Sequence, residues 1–463
     1  MEQTTPAPLS LPSARRFVPA RIGLARRPAR ANTSLTMQQV AGFLVLHIPL
    51  LLVFQAVPLV ATAHSVAVLL LGVHFLVRDD QPARVMWVMA YIAGCEILWR
   101  GVEATLVWEY GKYATLLLCI LLLMKYPSLR EGQGRLWLFI ALLVPGVFFA
   151  HRFDRQAISF QLAGPVTMAM VSITFSKVAF RKGDLQRFFL AMIAPAVAMV
   201  FLIGFITSTQ DVQFTGSENE EITGSIGANQ VTAALSLGAT AAFFSIFLYR
   251  DNLPLRNLMA GLLIVLTAGS VLTFSRSGLW NTAIALGVGA VFLVRDQRRA
   301  FQFIGVFLGL GVLGYLIIFP AINNLTGGTI LERFSDFDST GRDILFKIDY
   351  QLFLDNPVFG VGVGESPYYH IAAFGYLKPT HTEYGRLLAE HGSLGLAALV
   401  LLAWVTLSRI FLRAPAMSKA VSVGFTFWAL FYLIHSATRM VAPSLAFGLA
   451  TARFLPEESE LRG

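Results

Sequence analysis

Charged residues are scarce in this chain: Asp, Glu, Lys and Arg account for only 14% of its residues. A typical soluble domain carries about 25% of these residue types. The shortage excludes an ordinary soluble enzyme, because too little charge is present to cover a water-exposed surface. Apolar residues fill the gap, with 56% of the sequence and a mean hydropathy of +0.64. Together these values indicate an integral membrane protein.

Cysteine is nearly absent, which excludes several kinds of site. Cys95 and Cys119 are the two cysteines, and both lie in or beside apolar runs. Neither a disulfide framework nor a thiolate metal site is therefore expected. No carboxylates follow metal-ligand spacing either, so we predict no metal and no cofactor. The apolar runs also lack the alternation of barrel strands, which leaves helices as the elements that satisfy the backbone inside a bilayer.

Short charged clusters separate the apolar runs, many of which approach the roughly 20 residues that a helix needs to cross a bilayer. The fold prediction is an all-α integral membrane protein with about 14 (12–14) transmembrane helices. No long internal repeat suggests two transporter halves. The predicted spans are 38–57, 59–77, 85–99, 112–126, 136–150, 161–180, 188–207, 228–249, 257–274, 278–294, 300–320, 387–408, 420–435 and 440–454.

The basic residues predict the orientation, because Lys and Arg concentrate in cytoplasmic loops. Alternate loops carry them on the side of the basic N-terminus, so both termini are expected in the cytoplasm. The net charge of +9 then reflects orientation and contact with anionic membrane lipids, and we expect no nucleic-acid partner. The predicted organisation is a basic, disordered cytoplasmic tail (1–36), a membrane domain (37–454) that contains one long external loop (321–386), and a second cytoplasmic tail (455–463).

The long external loop is predicted to contain a short amphipathic helix. Residues 340–343 resemble a capping box, which would begin a helix at this point. Asn356-Pro357 would end the helix, because the residue before a proline avoids helical geometry. A helix in this position would lie on the membrane or on the bundle. Its apolar face would consist of Ile344, Leu345, Ile348 and Leu352.

Three ionisable residues on the external side are candidate site residues. Arg276 lies in a very tight turn between two spans, although it could equally extend to lipid headgroups. Arg342 opens the loop helix, where a cation opposes the helix dipole unless an anionic ligand offsets it; the alternative is an exposed arginine paired with Asp338. His381 could accept a proton near neutral pH, or it could be a surface or capping residue. The neighbouring Glu383 could orient His381 or remain a solvated carboxylate.

The order of these motifs resembles the O-antigen ligase and Wzy-type O-antigen polymerase superfamily, whose members have a GT-C-like membrane fold. The resemblance extends over roughly residues 220–410. Each motif is short, and it is their order along the chain, combined with the topology, that makes the resemblance specific. The matching segments are 275–278 (Ser-Arg-Ser-Gly), 340–342 (Thr-Gly-Arg), 356–364, 381–384 (His-Thr-Glu-Tyr) and 387–395.

The resemblance implies a membrane glycosyltransferase whose donor is an undecaprenyl-diphosphate-linked glycan and whose active site faces the periplasm of a bacterial inner membrane. Arg276 and Arg342 would bind the diphosphate, His381 would be the general base, and Ser275 and Glu383 would support them. Transfer would be inverting and metal-independent. The acceptor would be lipid A-core for a ligase, or a second lipid-linked glycan for an O-antigen or exopolysaccharide polymerase. The alternative from another class is a lipid-linked oligosaccharide flippase or another polytopic transporter.

Overall fold

The structure of this protein is a computed structural model. It describes residues 34–79, 81–215, 217–224, 226–294, 301, 304–305, 308–309, 311–335 and 341–454. Most of the predicted tails, 1–36 and 455–463, therefore lies outside the described residues, and the orientation of the chain stays a prediction.

Most of the described residues are helical. A 3₁₀ turn covers Pro127–Arg130, a π-helical turn covers Gly314–Ile318, and strands β1 (Ala179–Phe180) and β2 (Arg453–Phe454) form a short parallel pair. The helices are α1 (Met37–Ala56), α2 (Pro58–Arg78), α3 (Pro82–Gly101), α4 (Tyr110–Lys125), α5 (Gly134–Leu143), α6 (Pro145–Phe148), α7 (Arg155–Phe175), α8 (Lys182–Thr209), α9 (Ala228–Leu248), α10 (Leu253–Leu272), α11 (Arg276–Leu293), α12 (Phe319–Leu325), α13 (Thr329–Ser335), α14 (Arg342–Asp355), α15 (Ser366–Tyr369), α16 (Ile371–Phe374), α17 (Glu383–Phe411), α18 (Ala416–His435) and α19 (Ala442–Thr451).

The predicted all-α membrane architecture is confirmed. Each predicted span that falls wholly within the described residues overlaps a helix. Among the helices of the described part, 8 are long and apolar enough to cross a membrane, so the protein is a multi-pass membrane protein and the count of about fourteen stays a prediction.

Three predicted spans differ from the helices observed. The span 136–150 is two helices, because Pro145 has no amide hydrogen to continue the helix and instead begins α6. The spans 161–180 and 440–454 end early, since their last residues form β1 and β2.

Helix α9 forms the centre of the bundle. Its apolar stretch is 100% buried, against 28% for α1 and α2, which places those two helices at the periphery. The sequence of α9 explains this position, because it is rich in Ala, Gly, Ser and Thr. Small residues let neighbouring backbones approach closely in membrane bundles. Helices α8, α10 and α11 pack directly against α9.

A break inside α17 holds the long loop against the bundle. Gly392 has non-helical backbone angles (φ 59°, ψ −134°), which interrupts the ladder of intrahelical hydrogen bonds. Backbone groups of α17 near the break form hydrogen bonds with the loop instead: Val361 N donates to Ala389 O at 2.8 Å, and Ser393 N donates to Pro357 O at 2.7 Å. The glycines around residue 360 are therefore a closely packed anchor, which fixes the loop that carries the candidate residues.

Candidate functional site

Ser275 and Arg276 lie in the predicted tight turn, between the end of α10 at Leu272 and the start of α11 at Arg276. The Ser275 side chain does not cap α11. Its hydroxyl donates instead to Glu218 Oε1 at 3.1 Å and lies 3.0 Å from Ser277 Oγ. Ser275 is fully buried and Arg276 is half-buried. The turn therefore presents an arginine and a fixed hydroxyl at one end of the bundle.

Arg342 begins α14, as the sequence predicted, and the predicted capping box stays a prediction. Gly341 occupies the N-cap position with a φ of 77° and no side-chain hydrogen bond, and Thr340 lies outside the described residues. Arg342 Nη2 is 3.6 Å from Glu218 Oε1, so an acidic partner partly offsets a cation at the positive end of a helix. Asp338, the partner considered from the sequence, also lies outside the described residues.

Glu218 joins the two arginine segments and was missed by the sequence analysis. Its Oε1 accepts from Ser275 Oγ, lies 3.6 Å from Arg342 Nη2 and lies 3.9 Å from Arg333 Nη2. Arg333 in turn donates to Phe274 O at 2.9 Å. Nothing in the local sequence indicates which partners a carboxylate such as Glu218 will meet across the fold.

His381 precedes α17 and is half-buried. Its ring atom Nδ1 is enclosed and has no hydrogen-bond partner among the described residues. Burial, followed by the positive charges of Arg439, Arg342 and Lys378, lowers the pKa of His381 to about 3. The imidazole is therefore neutral at pH 7, and Arg342 lies close enough to act on it electrostatically.

Arg439 is a second residue that the sequence analysis missed. It lies between α18 and α19, and its Nη2 donates to Thr380 O at 3.3 Å. Burial lowers the pKa of Arg439, and the charge of Arg342 acts in the same direction. The neighbouring Ala437 N donates to His381 O at 3.1 Å. The segment 437–441 thus holds the backbone of the histidine and adds a cation beside it.

Glu383 does not bind the His381 ring, and it is not solvated. Its side chain is buried and forms an ion pair with Arg386. Glu383 Oε2 also accepts from the backbone N of Thr438 at 3.1 Å and from its hydroxyl at 3.3 Å. Glu383 therefore supports His381 indirectly, by fixing the segment 437–441 that carries the backbone contact to the histidine.

A buried charge network continues from Glu383 into α17. Arg386 Nη1 lies 2.8 Å from Glu390 Oε2, and Ser366 Oγ donates to Glu390 Oε1 at 3.1 Å. All of these side chains are almost inaccessible to solvent. Removing one partner of such a buried pair leaves an uncompensated charge, which costs about 3–5 kcal/mol. Through Ser366, the network connects α17 to the loop.

A buried aspartate–histidine pair fixes the other end of the loop. Asp349 Oδ1 is 3.0 Å from His370 Nε2, and His370 Nδ1 is 2.6 Å from the Lys378 carbonyl oxygen. Burial alone would lower the pKa of His370, but the contacts with Asp349 and the Lys378 carbonyl outweigh it and raise the pKa.

The predicted apolar face of α14 is partly wrong: the buried positions are Leu345, Asp349 and Leu352, while Ile344 is exposed.

Four of the predicted residues therefore lie in one region of the structure: Ser275, Arg276, Arg342 and His381. Glu218 and Arg439, which the sequence analysis missed, lie in the same region. Within the part of the chain that the structure describes, no group of three His, Cys, Asp or Glu side chains is placed to hold a metal ion. The arrangement combines several cations with one neutral imidazole, which is suited to binding a phosphorylated anion and accepting a proton beside it.

Residues 261–400 match the family model described as O-antigen ligase. The resemblance found from the motifs is confirmed over this region, which includes Ser275, Arg276, Arg342, His381 and Glu383. Glu218 and Arg439 lie outside it. No curated protein and no solved structure matches the chain.

Proposed function

We propose that this multi-pass membrane protein, with its O-antigen ligase family domain at residues 261–400, transfers a glycan from an undecaprenyl-diphosphate-linked donor to a hydroxyl acceptor. The reaction takes place on the periplasmic side of the inner membrane. One observation carries the proposal: the starts of α11 and α14, each with an arginine, lie close to a neutral histidine. Glu218 contacts both helix starts, and the charge of Arg342 acts on His381.

The arginines bind the donor diphosphate in this proposal. Arginine presents a planar fork of donors that binds phosphate oxygens bidentately. Arg276 is the first residue of α11 and Arg342 the first residue of α14, so each also adds the amide groups and dipole of a helix start, which favour anions. Negative charge grows on the diphosphate as the sugar–phosphate bond breaks, and fixed cations stabilise it most in the transition state.

His381 acts as the general base. The acceptor hydroxyl forms a new bond to the anomeric carbon, the bond from that carbon to the phosphate oxygen breaks, and the hydroxyl proton passes to His381 Nε2. Undecaprenyl diphosphate leaves as an anion, so no general acid and no metal is needed. Attack from the side opposite the leaving group inverts the anomeric centre. General-base catalysis of this kind contributes typically 10²–10⁴-fold.

The acceptor determines whether the protein is a ligase or a polymerase. Lipid A-core as acceptor makes it a ligase, and a second lipid-linked glycan makes it a polymerase. The two reactions share the donor, the base and the leaving group, so the proposed residues serve both.

The proposal is tested in proteoliposomes that contain the purified protein, lipid-linked glycan donor and one acceptor at a time, with EDTA present. Wild type is expected to transfer glycan to one acceptor, and Arg342→Gln to lose most of this activity through weaker donor binding. Arg342→Lys should restore part of it, since charge returns without the planar fork. Arg155→Gln is a matched control, because Arg155 is an exposed arginine that also begins a helix.

Two outcomes contradict the proposal. Transfer by Arg342→Gln at the wild-type rate would remove the arginine from the diphosphate site. Movement of the lipid-linked glycan across the vesicle membrane without any transfer would support a flippase instead.

A further inference from the structure

A cavity lies near the candidate active site, in a part of the chain that the matched family domain does not include. It encloses about 250 Å³ between the end of α3, the connection 102–109 and the start of α4. At roughly 30 Å³ per water this volume holds about eight waters, which is room for one sugar ring with its hydroxyls. Its polar and aromatic lining consists of Glu96, Trp99, Arg100, Glu103, Trp108 and Tyr110.

The lining combines a flat aromatic surface with charged hydrogen-bonding groups. The Arg100 guanidinium lies over the Trp108 ring at 4.4 Å and donates to the Trp108 carbonyl oxygen at 2.8 Å. Arg100 Nη2 is also 2.7 Å from Glu96 Oε1, and both side chains are more than nine-tenths buried. Trp108 itself is 53% exposed. Trp108 therefore combines a guanidinium over its ring with a large accessible aromatic surface.

This chemistry fits a neutral sugar. The apolar C–H face of a pyranose ring stacks on an aromatic ring, and its hydroxyls pair with carboxylate and guanidinium groups. Arg100 and Glu96 cancel each other's charge, and Glu103 adds a negative one, so a phosphate group would find no net positive charge. Arg100 Nε is enclosed and without a hydrogen-bond partner among the described residues. Glu103 also has a φ of 54°, a strained conformation of the kind that clusters at binding sites.

Hydrogen bonds from side chains of the cavity wall to the backbone of 437–441 connect the cavity to the segment that holds His381. Arg100 Nη1 donates to the Arg439 carbonyl oxygen at 3.3 Å, and Val441 N donates to Glu96 Oε2 at 2.7 Å. Ala437, in the same segment, donates to the His381 carbonyl oxygen at 3.1 Å. The cavity and the histidine therefore lie on two sides of the segment 437–441.

We propose that this cavity binds a neutral sugar of the acceptor and thereby positions the acceptor hydroxyl toward His381. This inference rests on the proposed transferase function and assigns its acceptor subsite to residues outside the matched domain. The sugar has two sources, the outer core of lipid A-core or the terminal sugar of a second lipid-linked glycan. Both have the same chemistry, and the experiment below separates them.

The first test measures binding without catalysis. Saturation-transfer NMR on the full-length protein in nanodiscs would use three kinds of probe: methyl glycosides of neutral hexoses, lipid-free core oligosaccharide and lipid-free repeat-unit glycan. Wild type is expected to bind one of the two oligosaccharides, which identifies the source. Trp108→Ala should lose this binding and Trp108→Phe should keep part of it. Trp404→Ala is the matched control, since Trp404 is 55% exposed and has Arg135 5.0 Å from its ring centroid.

The second test is kinetic and separates the two proposals. At saturating donor, Trp108→Ala should raise the acceptor KM by roughly five- to tenfold and leave the donor KM unchanged. Equal acceptor KM values in wild type and Trp108→Ala, or no probe binding by wild type, would overturn the acceptor subsite. Sugar binding that depends on Trp108 in a protein that transfers nothing would keep the sugar site and overturn the transferase function.

Discussion

Acidification provides a detailed prediction about His381. Burial, followed by the charges of Arg439, Arg342 and Lys378, lowers its pKa to about 3, far below the ordinary value of about 6.5. A general base must be unprotonated, so activity is present above its pKa and is lost as the pH falls through it. Because kcat/KM for the donor reports ionisations of the free protein, His381 should cause no loss in kcat/KM above about pH 4.

Removing Arg439 is the perturbation that tests this cause. Arg439 has the largest effect on His381 after burial, and one nearby charge shifts a pKa by about 1 unit or more. Arg439→Gln should therefore move the acid midpoint of kcat/KM upward by about one pH unit, while Arg439→Lys keeps the charge and stays near wild type. A bound diphosphate offsets the same cations, so the acid midpoint of kcat should lie above that of kcat/KM.

The assay is donor-limited transfer in proteoliposomes over roughly pH 2–8, a span that includes both the ordinary pKa of histidine and the lowered pKa of His381. A ³¹P NMR titration of the donor would correct for ionisation of the diphosphate, and recovery of activity at neutral pH would exclude acid unfolding. A wild-type midpoint in kcat/KM near 6.5, unchanged in Arg439→Gln, would refute the reasoning.

Three further substitutions have expected outcomes that can be measured directly. Glu218→Gln removes the carboxylate that faces Ser275 and Arg342, so donor KM should fall by roughly two- to fivefold; an increase in donor KM would mean that the carboxylate helps to bind the donor. Glu383→Gln leaves the buried Arg386 with less compensation and should cost up to about 3–5 kcal/mol, seen as a lower unfolding temperature in detergent by scanning fluorimetry. Asp349→Asn removes the negative charge that faces His370 and should lower the unfolding temperature in the same measurement, whereas an unchanged value would show that the pair does not anchor the loop.

Local features of this fold were predictable from the sequence. The short turn before Arg276 follows from two apolar runs that nearly touch, and the end of α14 at Asp355 follows from Asn356-Pro357. Both depend on neighbours in the chain. The start of α14 at Arg342 was predicted at the correct residue, and Gly341 takes the N-cap position before it with a positive φ.

Contacts between distant segments were not predictable in this way. Glu218 meets Arg342 across more than a hundred residues, and Glu383 meets Thr438 across 55, so no local pattern reveals either contact. Asp349 is different: a carboxylate in line with Leu345 and Leu352 at helical spacing is a signal of a buried partner, and the sequence analysis did not use it.

The central claim, that His381 is the general base of glycan transfer, is tested most directly by single-turnover transfer with His381→Ala at neutral pH. Donor and acceptor would be saturating, and His151→Ala, an exposed loop histidine, would be the control. The account predicts a rate lower by about 10²–10⁴-fold in His381→Ala, unchanged donor binding, and a wild-type rate in the control. Transfer by His381→Ala at the wild-type rate would contradict the claim and make the histidine a structural residue of the loop.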